Sequence, residues 1–232
     1  TVYGKRVKRI ADHMAPLAYR GNQLAKQRQN AIVQRMANRS DETPIRIDGK
    51  LDDPFWQNFA NKWSGSLKET QTGRRPAFET TFKVAWHRQS IYFGIYCQDV
   101  PENTVNNTAT RHDQTSIWEG DEVEILLDTQ VHSYYQLCIS PAGALVDLSH
   151  DDGLQFAWES NAQVATHIGE DYWTAEVRIP VAGKDRRKVD PFDGLAGFKP
   201  TEAYPWYFNI CRQRVRGNDR LHMAFSPTDR GG

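Results

Sequence analysis

Thr81-Phe82-Lys83-Val84-Ala85-Trp86-His87-Arg88-Gln89-Ser90-Ile91-Tyr92-Phe93-Gly94-Ile95-Tyr96-Cys97 decides the fold. Phe82, Val84 and Trp86 alternate with Thr81, Lys83 and Ala85. After a polar turn at 87–90, Ile91, Phe93, Ile95 and Cys97 alternate with Tyr92, Gly94 and Tyr96. A period of two puts each set on one face of a strand, so the stretch predicts a hairpin with one apolar face. The same period recurs downstream. Val123, Ile125 and Leu127 oppose Glu122, Glu124 and Asp128; Tyr135, Leu137 and Ile139 follow, then 144–148, then Trp173, Ala175, Val177 and Ile179, and last Trp206, Phe208 and Ile210. Strands at this spacing, with almost no helical period between them, predict an all-β antiparallel sandwich of two sheets, immunoglobulin-like or jelly-roll-like. A parallel α/β fold would need crossover helices that are absent from the pattern.

Upstream the pattern changes. Residues 1–43 carry apolar positions at broadly helical spacing, broken by Pro16 and Gly21, and hold nine Lys or Arg against the single acid Asp12 up to Arg39. They read as a basic, helical leader or linker before a sandwich spanning 44–232, with Ser40–Pro44 as the boundary. A chain that begins at Thr1 without an initiator Met reads as a processed piece. The 29 basic and 29 acidic residues cancel, which removes the electrostatic argument for nucleic acid or an anionic membrane as partner. No apolar run reaches the roughly 18 residues of a membrane span. Cys97, Cys138 and Cys211 lack metal-finger spacing, and the last two, on like-facing positions, are a candidate disulfide pair beside the alternative of free thiols.

Ile47-Asp48-Gly49-Lys50-Leu51-Asp52-Asp53-Pro54-Phe55-Trp56 resembles the opening of the family 9 carbohydrate-binding modules and their DOMON-like relatives. Later landmarks keep the order of that family: Val84-Ala85-Trp86, Gln98-Asp99, Trp118-Glu119-Gly120-Asp121-Glu122-Val123-Glu124-Ile125, Tyr135-Gln136-Leu137, Trp173-Thr174-Ala175-Glu176 and Phe208-Asn209-Ile210. The resemblance spans about residues 45 to 228. It implies a module in which two aromatic rings sandwich a sugar, Trp118 being the first and Glu124 a carboxylate for sugar hydroxyls. Gln136 and Asn209 are further polar candidates on strand faces. Cys138 and Cys211 stand where sugar binders of the family carry arginine and glutamine. An indole beside carboxylates and amides suits a pyranose, whose C–H face is apolar and whose rim is hydroxylated.

The implied function is non-catalytic: binding of a polysaccharide or oligosaccharide for an upstream catalytic domain, in a secreted, periplasmic or cell-surface protein of polysaccharide degradation. No nucleophile elbow, Walker loop, dinucleotide fingerprint or HExxH occurs, and nothing singles out a catalytic pair among Glu122, Glu124, Asp147, Asp151 and Asp152. A structural calcium is a further family implication, with Asp48, Asp52, Asp53, Asp99 and Asp121 as oxygen donors. Two other readings stay open: a docking module without sugar affinity, and a haem-binding electron-transfer domain. The second would need His222 and Met223, which alternation sends to opposite faces.

Overall fold

A computed structural model describes residues 33–35, 45–58, 63–87, 89–101, 105–129, 134–150, 156–181, 195, 200–201, 203 and 205–226. In chain order the elements are β1 (Val33–Arg35), α1 (Pro54–Gln57), β2 (Gly65–Ser66), β3 (Lys68–Glu69), β4 (Thr80–His87) and β5 (Ser90–Gln98). A 3-10 turn at Thr115–Glu119 precedes β6 (Glu122–Asp128), β7 (Tyr135–Ile139), β8 (Leu145–Ser149), β9 (Gln163–Ile168), β10 (Tyr172–Pro180), β11 (Tyr207–Arg216) and β12 (Asp219–Ala224). One sheet runs β1-β4-β5-β10-β9, with β2 also on β4; the other runs β3-β12-β11-β6-β7-β8. The two-sheet antiparallel sandwich is as the alternation predicts.

The hairpin of β4 and β5 forms in the expected register, Phe82 opposite Ile95 and Val84 opposite Phe93. Phe82, Val84, Phe93 and Ile95 face Val123, Ile125, Leu137, Trp173, Val177 and Ile210 in one core between the sheets. Trp56 and Trp173 are fully buried, and Trp86 meets Trp206 edge-on at 5.8 Å at the margin of that core.

The basic leader requires a correction. Val33–Arg35, inside the segment read as helical, form a strand paired in parallel with Val84–Trp86. Three residues cannot reveal a strand by periodicity; the edge of β4 offers unpaired backbone groups and settles the matter. The remaining helical reading of residues 1–43, and the turn read at Asp151-Asp152-Gly153, lie outside the described residues.

The opening motif is a clasp on the outside of the first sheet. Glu176 Oε2 accepts the backbone N–H of Asp48 (3.0 Å) and Gly49 (2.9 Å), while Oε1 accepts the Trp56 indole N–H at 2.7 Å. The Thr174 hydroxyl donates to the Gly49 carbonyl at 2.6 Å. Burial pushes the Glu176 carboxyl up to about 7, against the pull of these N–H donors. Between the ordinary carboxylate range and about 7 the native protein therefore holds a proton that the unfolded chain has released. Stability falls as pH rises through that window. Glu176→Gln is expected to flatten this slope in thermal melts between pH 4.5 and 7.5. It should also cost about 1–3 kcal/mol at the acidic end, because its NH2 must face one of the N–H donors. A slope unchanged in the variant would assign the proton to another group.

Candidate functional site

The outer face of the second sheet carries the candidate site. Along β6, Val123, Ile125 and Leu127 turn inward, so Glu122 and Glu124 turn outward. Glu124 pairs with Cys138 on β7 and with Cys211 on β11. The two cysteines share its face, but β6 lies between them, placing their Cα atoms about two strand spacings, or ~10 Å, apart. A disulfide needs less than about 7 Å. All three cysteines are free and buried.

The braced segment from Val105 to Gly120 covers part of this face. Ser116 Oγ donates to the Thr108 carbonyl (2.7 Å), Thr108 Oγ1 to the Ser116 carbonyl (2.6 Å), and Gln114 Nε2 to the Thr108 carbonyl (3.1 Å). Ala109 and Ile117 pack on Cys138, Val146 and Leu148, with Trp118 lying against them. Gln213 on β11 donates to the carbonyls of Trp118 (2.9 Å) and Gly120 (2.8 Å), and Arg220 on β12 donates to Trp118 O at 3.1 Å. The indole is thus held from its own backbone by two strands.

Trp118, Glu124 and Gln136 are joined by hydrogen bonds. Glu124 Oε1 accepts Trp118 Nε1–H at 3.2 Å and Gln136 Nε2–H at 2.9 Å. The Cys138 thiol lies 3.4 Å from the same oxygen; burial first, then the Glu124 charge, push its pKa well up, so it donates as S–H. Because a carboxylate only accepts, the Gln136 amide must turn its oxygen the other way, to His150 Nε2 at 2.7 Å. His150 stacks on Tyr134 with centroids 4.0 Å apart. Burial lowers the pKa of His150.

A cavity of about 220 Å³ adjoins this network, with Thr70, Trp118, Glu122, Glu124, Gln213 and His222 in its wall. Glu122 Oε2 is buried and has no hydrogen-bond partner among the described residues. Burial, reinforced by the Glu124 charge, raises the Glu122 carboxyl well above the usual carboxylate range. Phe156, 42% exposed, stands edge-on to the Trp118 ring, centroids 6.4 Å apart. Asn209 lies apart: its amide makes two bonds to the Ser226 backbone, at 2.9 and 3.0 Å.

Other expectations resolve on geometry. Asp99 and Asp121, offered as calcium ligands, are instead saturated by Arg214, Arg216 and backbone N–H groups, so they do not fit that ion. Arg212, Arg214 and Arg216 take the face opposite Cys211 and Gln213, as alternation requires. Met223 packs in the core between the sheets, and alternation along β12 turns the adjacent His222 to the other face, so one iron could not take both. Sequence reasoning weighed Glu122 only as one of several possible catalytic carboxylates, and passed over Phe156, Tyr134, His150 and Gln213 as site residues. Glu122 alone had a signal, sharing the phase of Glu124; the others are placed by long-range pairing and loop path.

Comparison with known proteins agrees with this architecture. The model for "Carbohydrate family 9 binding domain-like" matches residues 47–196, more than half of the chain. The chain belongs to this family. Among solved structures, a family 9 carbohydrate-binding module from Caldicellulosiruptor kristjanssonii in complex with cellotriose is similar, with a TM-score of 0.52 at 16% identity over 84% of this chain and 83% of that one. The same module in complex with glucose also has a TM-score of 0.52 at 16% identity, over 84% of each chain. A putative carbohydrate-binding protein from Bacteroides uniformis has a TM-score of 0.60 at 14% identity, over 87% of this chain and 92% of that one. These likenesses establish the fold. No curated protein sequence matches the chain.

Proposed function

We propose that this family 9-like domain is a non-catalytic sugar-binding module that holds one terminal sugar residue of a polysaccharide or oligosaccharide on the outer face of its second sheet. The observation that carries it is Glu122 Oε2, a buried oxygen without a partner among the described residues, in the wall of a cavity beside the Trp118–Glu124–Gln136 network. An orphaned buried polar atom is costly, and a ligand hydroxyl would relieve it. Family membership and the saccharide complexes of similar structures point to the same ligand class.

The chemistry follows from the side chains. A pyranose packs its C–H face in the corner formed by Trp118 and Phe156. Among the described residues nothing donates to Glu124 Oε2, which accepts a sugar hydroxyl, while the raised carboxyl of Glu122 donates to one. The cavity is below the roughly 300–1,000 Å³ of a pocket for a larger ligand, which favours one sugar ring and hence a chain end. Tethering that end near a catalytic domain outside the cytoplasm raises the effective concentration of substrate without speeding any bond-breaking step.

Calorimetry after a glycan array, with wild type and Trp118→Ala, tests the reading. Loss of the indole is expected to weaken saturable binding by about 2 kcal/mol or more, roughly 30-fold, the scale of an aromatic anchor in a desolvated site. Absence of binding to every glycan would leave the docking-module reading in its place.

A further inference from the structure

Away from the proposed sugar face, the edge strand β8 carries Asp147, 1% exposed, whose Oδ1 is buried and, among the described residues, without a hydrogen-bond partner. Its Oδ2 is occupied, accepting the Ser160 N–H at 2.6 Å. The free oxygen points into a group completed by His112 and Glu159: one ligand atom from each of the three lies within 4.8 Å of the others. His112 Nε2 is 3.6 Å from Asp147 Oδ1, 3.3 Å from Glu159 Oε2 and 3.4 Å from Asp113 Oδ1.

These distances are the informative part. An imidazole nitrogen has at most one proton, yet three carboxylate oxygens surround it, each beyond the roughly 2.7–2.9 Å of a charge-assisted hydrogen bond. Ligands about 2.0–2.2 Å from a tetrahedral ion are separated from one another by about 3.3–3.6 Å. The gaps from His112 match that edge length. A nitrogen donor with two carboxylates suits zinc or a similar first-row divalent ion; calcium prefers six to eight oxygens at about 2.3–2.6 Å. The side chains of His112 and Glu159 are each 47% exposed, so an ion can enter from solvent.

We propose that His112, Asp147 and Glu159 form a three-ligand site for a divalent transition metal of the zinc type, its remaining position open to solvent. Its place in the fold gives it a task. The Asp113 N–H donates to the Leu145 carbonyl at 2.9 Å, so this turn already hooks over the open edge of β8. An ion there pins the segment that carries Trp118 to β8 and to the chain entering β9, and covers an edge that would otherwise be free to pair. The site shares no residue with the sugar face, so it stands whether or not glycan binding is found.

The test is calorimetric titration of the chelator-treated full chain with Zn²⁺ and separately with Ca²⁺, for wild type, His112→Ala, Glu159→Gln and Cys138→Ser. The first two variants change half-exposed side chains; the third controls for the buried group of Glu122, Glu124 and Cys138. One equivalent of zinc, with calcium much weaker, is expected in wild type and Cys138→Ser. Affinity should fall in His112→Ala and Glu159→Gln by more than the about 10–100-fold that loss of an outer-shell partner costs. Saturating zinc should raise the melting temperature of wild type and not of His112→Ala. No zinc binding, zinc binding that survives both ligand variants, or zinc binding lost only in Cys138→Ser overturns the proposal.

Discussion

Asp99→Asn is expected to cost about 3–5 kcal/mol, the cost of removing one partner from a buried ion pair. Three guanidinium groups from alternate positions of β11 converge where β5 ends. Arg212 Nη2 lies 3.3 Å from Asp99 Oδ2, Arg214 Nη2 is 2.8 Å from Oδ1, and Arg216 binds Oδ2 as well. Arg212 is 1% exposed and also donates to Thr80 Oγ1 and the Gln98 carbonyl, so it cannot turn toward water. Asp121 answers Arg216 at 2.7 Å and accepts the Val215 N–H at 2.7 Å. Two carboxylates thus oppose three arginines, and without Asp99 one carboxylate opposes three. Burial raises the Asp99 carboxyl, but the hydrogen bonds from Arg214 and Val100 and the charge of Arg216 outweigh it, holding the group below the usual carboxylate range. That depression contributes stability above the unfolded carboxylate pKa, which is lost as pH falls through the folded one. Urea unfolding at pH 7 should show a lower midpoint with unchanged slope, and the variant should lose part of the wild type's acid sensitivity. A variant within about 1 kcal/mol of wild type would mean that water or Asp121 replaces the lost charge.

The contrast between β11 and the loops shows what a sequence can convey. Alternation correctly assigns Arg212 and Arg214 to one face and Cys211 and Asn209 to the other, because the strand period is two whatever the neighbours are. It does not reveal strand order. Cys138 and Cys211 share a face yet flank β6, which only the order β11-β6-β7 discloses. Trp118 and Glu124 are candidates through the family resemblance, and Gln136 through its strand face; their shared hydrogen bonds depend on that order and on Gln213 clamping the Trp118 carbonyl. Asn209 has the right face, but the returning chain at Ser226 takes up both ends of its amide. Phe156 reaches Trp118 by a loop path that no local pattern encodes.

Gly49→Ala separates the two uses of the opening motif, as a family signature and as a structural clasp. Gly49 has φ +87°, and a Cβ there would fall 2.4 Å from the carbonyl carbon of Thr166 and 2.8 Å from its Cα. That neighbour is β9 backbone, paired with β10 from Gln163 to Ile168, so it cannot step aside as a side-chain tip would. Gly49 is also held from both ends, its N–H by Glu176 and its carbonyl by Thr174. The left-handed φ costs a Cβ-bearing residue about 1–2 kcal/mol, and forcing a methyl into packed backbone adds about 1–3 kcal/mol. A loss of about 2–5 kcal/mol is expected, or roughly 5–15 °C in melting temperature for a domain of this size. Gly73→Ala is the control: its φ is +66° but nothing lies within 4 Å of the new methyl, so only the backbone component, about 1–2 kcal/mol, remains. The difference between the two melts measures the close approach to β9. Equal melting temperatures would show that the clasp yields at Thr166 and that Gly49 serves the turn alone; a larger loss at Gly49 makes the motif a fastening for the sheet opposite the proposed sugar face.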